Sequence, residues 1–317
     1  MRSEVIKLYE DRDDVTLTTY LLDPFTTNND NRKRPAIIIC PGGSYMYCSD
    51  REAEPVAMAF NAMGFNAFVL RYSVYGQGKT TDQILAEGHF PVKEEVLFPH
   101  ALKETAKVFE LIHQHATEWQ VNTDQIGLIG FSAGGHNTGM YSNVWNKPVI
   151  QEATSLTGDQ LKPAFNISSY ALTDIAYYFG KNVENPDPNV QAYATAISLA
   201  CFGKPQPTLE EVSQYSIPAT VNADTPPTFI WATREDQVVN VRDSISFALA
   251  LEENEIPFEM HIFQKGPHGL SVANESSALY PNQINKTAAQ WLPLAENWLK
   301  EIVLHRVYGY SYKQKSK

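Results

Sequence analysis

The fold class this sequence predicts is a mostly parallel, doubly wound α/β sheet with helices on both faces. Three observations predict it. Continuous apolar runs such as Pro35-Ala-Ile-Ile-Ile-Cys40 read as strands covered on both faces. Segments with apolar residues at helical spacing alternate with those runs, at intervals that suit strand–helix–strand units. A small-residue turn, Gly130-Phe-Ser-Ala-Gly134, stands where one apolar run gives way to a helical segment.

Val5–Leu8 and Val15–Leu21 are rich in β-branched residues and read as an opening antiparallel pair of strands. Polar, turn-rich residues from Asp23 to Arg34 lead to the buried strand at Pro35–Cys40. Arg51–Met63 carries Ala53, Val56, Ala57 and Phe60 at helical spacing and ends at Gly64, a stop signal for a helix. Asn66–Tyr72 is a second buried strand, and Ser73–Phe98, with Gly76, Gly78 and Gly88, reads as loop. A helix over Pro99–Trp119 presents the stripe Leu102, Ala106, Phe109, Ile112 and Ala116. The run Gln125–Ile129 is the strand before the small-residue turn, and a helix is expected from Ala133. Phe165–Tyr170, Pro227–Ala232 and Phe258–Phe263 read as later strands. A helix with Val241, Ile245, Ala248 and Leu251 on one face lies between the last two, and Thr287–Leu304 reads as a closing helix.

Between Asp174 and Pro226 the rhythm breaks. This stretch holds Tyr177, Tyr178, Phe179, Tyr193, Phe202, Tyr215 and several prolines, with one helical piece near Leu209–Gln214. A connection of that length in a compact domain points to a functional insertion, here a partial cap over the strand ends. The expected organisation is one domain over residues 1–317 with a cap-like insertion at about 174–226.

The formal charge of −11 on 317 residues argues against nucleic acid or an anionic membrane as partner, because both attract basic surfaces. The first ten residues hold no apolar run of signal-peptide length, and no stretch approaches membrane-spanning length. A cytoplasmic protein is the expectation, with homo-oligomerisation left open. Cys40, Cys48 and Cys201 are odd in number and lack CxxC spacing, so they read as buried thiols and not as disulfides or a zinc site. There is no GxxxxGK[ST] phosphate loop, no GxGxxG after a strand and no HExxH. No cofactor and no metal are expected.

The turn at Ser132 is where chemistry is to be sought. A strand that bends sharply into a helix needs small residues on either side, and the bend exposes the hydroxyl beside a free backbone N–H. Serine is a weak nucleophile at neutral pH, so Ser132 needs a base, and the base an orienting acid. In a doubly wound sheet these belong in loops at the carboxyl ends of strands. His268 lies in such a loop, Gln264-Lys-Gly-Pro-His-Gly-Leu270, directly after Phe258–Phe263. The other histidines are weaker candidates. His261 is inside a strand, His113 and His115 do not share a helix face, and His305 has nothing nearby to activate it. His136 belongs to the turn's helix, packed there or lining the floor of the site; His89 and His100, in or near loop, stay open. For the acid, Asp236 in Ala232-Thr-Arg-Glu-Asp-Gln-Val-Val239 follows Pro227–Ala232. Glu235 is its neighbour, and Asp174, after Phe165–Tyr170, is the topological alternative; either aspartate keeps the chain order Ser–Asp–His. Upstream, Cys40-Pro-Gly-Gly-Ser-Tyr45 follows an early buried strand. Its glycines let backbone amides approach a developing oxyanion. Gly43, Ser44 and Ala133 are the donors expected, with Tyr45 as a wall of the substrate pocket.

With these residues in hand, the chain resembles the α/β-hydrolase superfamily over most of its length. Within it, the chain is similar to bacterial acetylxylan-esterase and feruloyl-esterase-like carbohydrate esterases related to hormone-sensitive lipase. The stretches that carry this are Cys40–Tyr45, Ser49-Asp-Arg-Glu-Ala-Glu-Pro55, Phe68-Val-Leu-Arg-Tyr72, Gly130–His136, Thr225-Pro-Pro-Thr-Phe229, Glu235-Asp-Gln-Val-Val239 and Gly266-Pro-His-Gly269. The resemblance implies an α/β-hydrolase fold with Ser132 as nucleophile, Asp236 as acid and His268 as base. It also implies a short-chain carboxylester as substrate, often an acetyl group on a sugar or oligosaccharide. Pro41 and Ser44 replace the His and third Gly of the family's HGGG pattern, a departure at the oxyanion loop. Two rival functions share the fold. One is a serine peptidase of prolyl-oligopeptidase type, whose usual propeller domain has no room here. The other is a binding module, which typically lacks a triad residue.

Overall fold

The computed structural model describes residues 1–25, 32–79, 81–88, 90–182 and 185–302. Its strands are β1 (Val5–Tyr9), β2 (Arg12–Tyr20), β3 (Arg34–Cys40), β4 (Asn66–Arg71), β5 (Val121–Phe131), β6 (Asn166–Ser169), β7 (Thr228–Thr233) and β8 (Phe258–Phe263). They form one eight-stranded sheet in the order β1-β2-β4-β3-β5-β6-β7-β8. The β1–β2 and β2–β4 pairs are antiparallel, and every pair from β4–β3 to β7–β8 is parallel. This is the mostly parallel α/β sheet that the sequence predicts.

Eleven α-helices among the described residues connect the strands: α1 (Glu54–Ala62), α2 (Thr81–Ala86), α3 (His100–Gln114), α4 (Ala133–Val144), α5 (Pro148–Gln151), α6 (Ile175–Asn182), α7 (Pro188–Phe202), α8 (Leu209–Ser213), α9 (Ile217–Thr220), α10 (Val241–Glu253) and α11 (Trp291–Ile302). Strand residues alternate between two cores. Ile38 and Leu128 pack with Leu102, Phe109, Met140 and Phe247 of α3, α4 and α10. Ile37, Ile39 and Ile129 pack with Val56 and Phe60 of α1 and with Trp291 and Trp298 of α11. Both faces of β3 and β5 are therefore covered, which is why their sequences are apolar without alternation.

Parallel register is what builds a site. Cys40 pairs with Gly130, Phe131 with Ser169, Ser169 with Trp231, and Thr233 with Phe263. The carboxyl ends of β3, β5, β6, β7 and β8 thus lie along one edge, and the loops that follow them converge there.

Two segments differ from the sequence reading. Within Ser73–Phe98, expected as loop, α2 forms and buries Ile84 in a small core with Met46, Val96 and Ala200. A helix of six residues is too short for its apolar spacing to be told from that of a loop. Between Asp174 and Pro226, where one helical piece is expected, there are four helices among the described residues. The longest, α7, starts with Pro188 at its first turn behind the N-cap Asp187, whose side chain accepts from Asn189 N, and stops at the left-handed Gly203. Its proline is a helix start and not a break. The closing helix is described as far as Ile302; His89, Leu304 and His305 lie outside the described residues.

Candidate active site

The turn between β5 and α4 places Ser132 at φ 52° and ψ −118°, a conformation that side chains other than glycine rarely adopt. Close approach on both sides requires its glycines. A Cβ at Gly130 would fall 2.2 Å from Gly134 O, and one at Gly134 would fall 2.0 Å from Cys40 O and 2.4 Å from Pro41 O. The second contact also shows that the Pro41–Ser44 loop lies directly on the turn.

His268 and Asp236 meet this serine. His268 Nε2 is 2.9 Å from Ser132 Oγ, and His268 Nδ1 is 2.6 Å from Asp236 Oδ2. A histidine placed between a carboxylate and a hydroxyl donates from Nδ1 and accepts at Nε2. Asp236 is held in its turn, since Oδ1 accepts from the amides of Val238 (2.8 Å) and Val239 (2.9 Å). The Asp236 side chain is 1 % exposed and that of His268 is 18 % exposed, so the relay opens to solvent from the histidine side. Glu235 is exposed. Asp174 is elsewhere: its Oδ1 accepts from Tyr177 N (3.0 Å) and Ser216 Oγ (3.3 Å) at the start of α6.

The amides of Gly43, Ser44 and Ala133 have no hydrogen-bond acceptor within the protein among the described residues. Ala133 opens α4, whose N-terminus favours negative charge. The amide of Gly42 is already taken, at 2.8 Å, by Glu52 Oε2. Tyr193 of α7 reaches into this loop and its hydroxyl lies 2.5 Å from Ser44 Oγ.

Tyr45 corrects the sequence reading. It is 3 % exposed, its ring packs edge-on against Tyr72 and Phe98, and its hydroxyl lies 2.7 Å from His136 Nδ1. It is a core residue and not a pocket wall. His136 is equally committed: Nε2 donates to Tyr215 O at 2.6 Å while Nδ1 accepts from Tyr45. Burial lowers its pKa to about 4, which keeps the ring neutral. His261 pairs with Glu259, His115 with Glu118, and His113 meets Gln160 O. Among the described residues, no cluster of three or more His, Cys, Asp or Glu side chains is arranged to hold a metal ion.

Two site neighbours escape sequence reasoning. Glu52, in the short turn Asp50–Glu52 before α1, and Tyr170, just after β6, join hydroxyl to carboxylate at 2.7 Å beside the site. A glutamate at the head of a helix looks like ordinary surface charge, and only its position within Ser49–Pro55 gave it any mark.

A model of the BD-FAE family matches residues 22–251. The chain is 32 % identical over 250 residues to endo-1,4-beta-xylanase B of Butyrivibrio fibrisolvens, an alignment covering 78 % of this chain and 34 % of that protein. It is 23 % identical over 267 residues to an acetylxylan esterase of Xylanibacter ruminicola, covering 83 % of this chain and 46 % of the relative. The chain therefore spans between a third and a half of the length of these two relatives. Among solved structures, the acetyl ester-xyloside bifunctional hydrolase of Caldicellulosiruptor lactoaceticus superposes with a TM-score of 0.71 at 26 % identity, covering 95 % of this chain and 97 % of that one.

Proposed function

The chain belongs to the BD-FAE family, and from that premise we propose that it is a serine carboxylesterase acting on short-chain, acetyl-type esters of sugars or oligosaccharides. One observation carries the reading. Ser132, His268 and Asp236 stand in a continuous hydrogen-bonded relay, 2.9 and 2.6 Å long, at the tip of the strand-to-helix turn.

In this mechanism Ser132 Oγ attacks the ester carbonyl while His268 Nε2 takes its proton. Asp236 fixes the imidazole tautomer and stabilises the imidazolium. The carbonyl oxygen becomes an oxyanion among the amides of Gly43, Ser44 and Ala133, where each donor is worth about 3 kcal/mol in the barrier. Collapse expels the sugar alcohol with a proton from His268 and leaves an acyl group on Ser132. Water, deprotonated by the same histidine, then releases the acid. The acetyl and sugar parts of the proposal rest on the acetylxylan esterase and the acetyl ester-xyloside hydrolase that the chain resembles. The peptidase reading has no counterpart among these relatives and is not favoured. No helix among the described residues is long and apolar enough to cross a membrane; a cytoplasmic site of action on imported acetylated oligosaccharides is part of the same proposal.

Hydrolysis of p-nitrophenyl acetate and of acetylated xylo-oligosaccharides tests it. Ser132→Ala is expected to lower kcat by about 10⁴-fold or more, because a nucleophile is lost. Near-normal turnover by that variant, or faster cleavage of a proline-containing dipeptide amide than of acetyl esters, would refute the proposal.

A further inference from the structure

A buried carboxylate outside the Ser132–His268–Asp236 relay joins the two loops on which that relay depends. Glu52 is 4 % exposed, and a carboxylate that far from water is costly unless its oxygens are hydrogen-bonded. Both are. Oε2 accepts from Gly42 N at 2.8 Å, and Oε1 accepts from the Tyr170 hydroxyl at 2.7 Å. Tyr170 is engaged from its other side as well. Its oxygen accepts from Ser271 N at 2.8 Å, and its ring meets the His268 imidazole edge-on with centroids 5.1 Å apart. Ser271 Oγ then donates to Arg51 O at 2.6 Å, which closes the circuit one residue from where it began.

We infer that Glu52 is a positioning residue for the esterase reaction, holding the oxyanion loop and the histidine loop in register through Gly42 and Tyr170; this rests on the esterase reading above. The oxyanion loop has little slack. A Cβ at Gly42 would fall 2.7 Å from Glu52 Oε2, 2.8 Å from Phe131 O and 3.0 Å from Ser132 Cβ. The Gly42 peptide is thus wedged between the carboxylate and the nucleophile's own residue. By taking the Gly42 N–H, Glu52 orients the following peptides and leaves the amides of Gly43 and Ser44 unspent. A free carboxylate near an oxyanion would repel it, but here each carboxylate oxygen already accepts from a donor.

The histidine side needs holding for a different reason. Tyr170 and Ser271 have φ of 37° and 53°, left-handed backbone that persists only where its surroundings impose it. The Tyr170 hydroxyl, fixed by Glu52, ties these two residues together three positions after His268. Removing the carboxylate therefore loosens both halves of the machinery at once. Their contacts to the reacting atoms are strongest in the transition state, so the loss falls on kcat and not on KM.

The test compares wild type, Glu52→Gln, Tyr170→Phe and the double variant. It measures p-nitrophenyl acetate kinetics, the rate of Ser132 labelling by a fluorophosphonate, and thermal unfolding. Glutamine keeps the shape but replaces one acceptor oxygen by an NH₂ group; phenylalanine removes the bridging hydroxyl. Each single variant is expected to lower kcat about 10- to 100-fold with KM within about threefold, and to slow labelling in parallel. The double variant is expected to lose no more than the worse single one, because both act through one network. A change in thermal midpoint alone, with kcat within about twofold of wild type in both single variants, would overturn the positioning role. Additive losses would overturn the shared network. Wild-type protein that neither hydrolyses the ester nor takes the label would sink the esterase reading itself, a failure distinct from the other two.

Discussion

At the scale of single residues, the atoms of the site are each held by hydrogen-bonded partners. Ser132 keeps its φ of 52° at a backbone cost of about 1–3 kcal/mol, offset because its carbonyl accepts from His136 N and Leu172 N while its amide donates to Ser169 O. Asp236 divides its oxygens, one for two backbone amides and one for His268. Asp236→Asn preserves that shape but offers an amide where the imidazole needs a charged acceptor. Under the proposed mechanism kcat for p-nitrophenyl acetate is expected to fall by about 10⁴-fold, with the protein still folded. Activity within tenfold of wild type would move the acid's role to another residue. Tyr45 teaches the opposite lesson. An aromatic beside a glycine turn reads as a pocket wall, yet the left-handed backbone at Ser44 and Tyr45 (φ 57° and 59°) accompanies a side chain turned inward, where His136 accepts from its hydroxyl.

At the scale of elements, the turn between β5 and α4 works only because the Pro41–Ser44 loop lies against it. Gly134→Ala would put a methyl group 2.0 Å from Cys40 O and 2.4 Å from Pro41 O. Both are backbone atoms, one at the end of β3 and one in the loop that follows it, so neither can swing away as a side chain would. The variant is expected to lose about 3 kcal/mol of stability or more, together with the oxyanion geometry. Urea unfolding measures the first and ester turnover the second; a variant with wild-type values for both would show that the two elements are not so closely apposed. The segment that holds α7 and α8 is helical for local reasons that the sequence contains, an Asp187–Pro188 start and a Gly203 stop on α7, and a capping box between Thr208 and Glu211 on α8. Its attachment to the site is a tertiary matter. Asp243 of α10 accepts from the amides of Thr173 and Asp174 and so pins the start of this segment, and Tyr193 of α7 bonds Ser44.

At the scale of the whole molecule, buried titratable groups make folding depend on pH in opposing directions. Glu104 is fully buried beneath Ser73, whose amide and hydroxyl both donate to it, with Arg12 at 4.0 Å and Tyr9 alongside. Desolvation raises its pKa to about 7. Between the ordinary carboxyl value near 4.5 and that value, the folded chain holds a proton that the unfolded chain has lost, so stability falls as pH rises through this window. His136, lowered to about 4 by burial, acts the other way. The unfolded chain binds the extra proton below about 6.5, and stability falls as pH drops from there toward 4. Glu104→Gln, a neutral copy of the protonated acid, removes the first dependence. Its stability relative to wild type, measured by urea unfolding, is expected to increase from pH 5 to pH 7.5, by about 1.4 kcal/mol for each unit the wild-type pKa is displaced. A pH-independent difference would mean that Glu104 is ionised throughout. Much of this molecule was legible in one dimension. Strand and helix order follows from periodicity, and Ser132, Asp236 and His268 are found by a rule of order alone, because parallel register sends the ends of β5, β7 and β8 to one edge. What the tertiary structure alone decided are contacts with no local signature: the inward turn of Tyr45, the docking of α7 on Ser44, and the Glu52–Tyr170 bond between residues 118 positions apart. A strand or a sharp turn is specified by its own neighbours in sequence, whereas the burial that makes a glutamate a strut instead of a surface charge exists only once distant segments have closed around it.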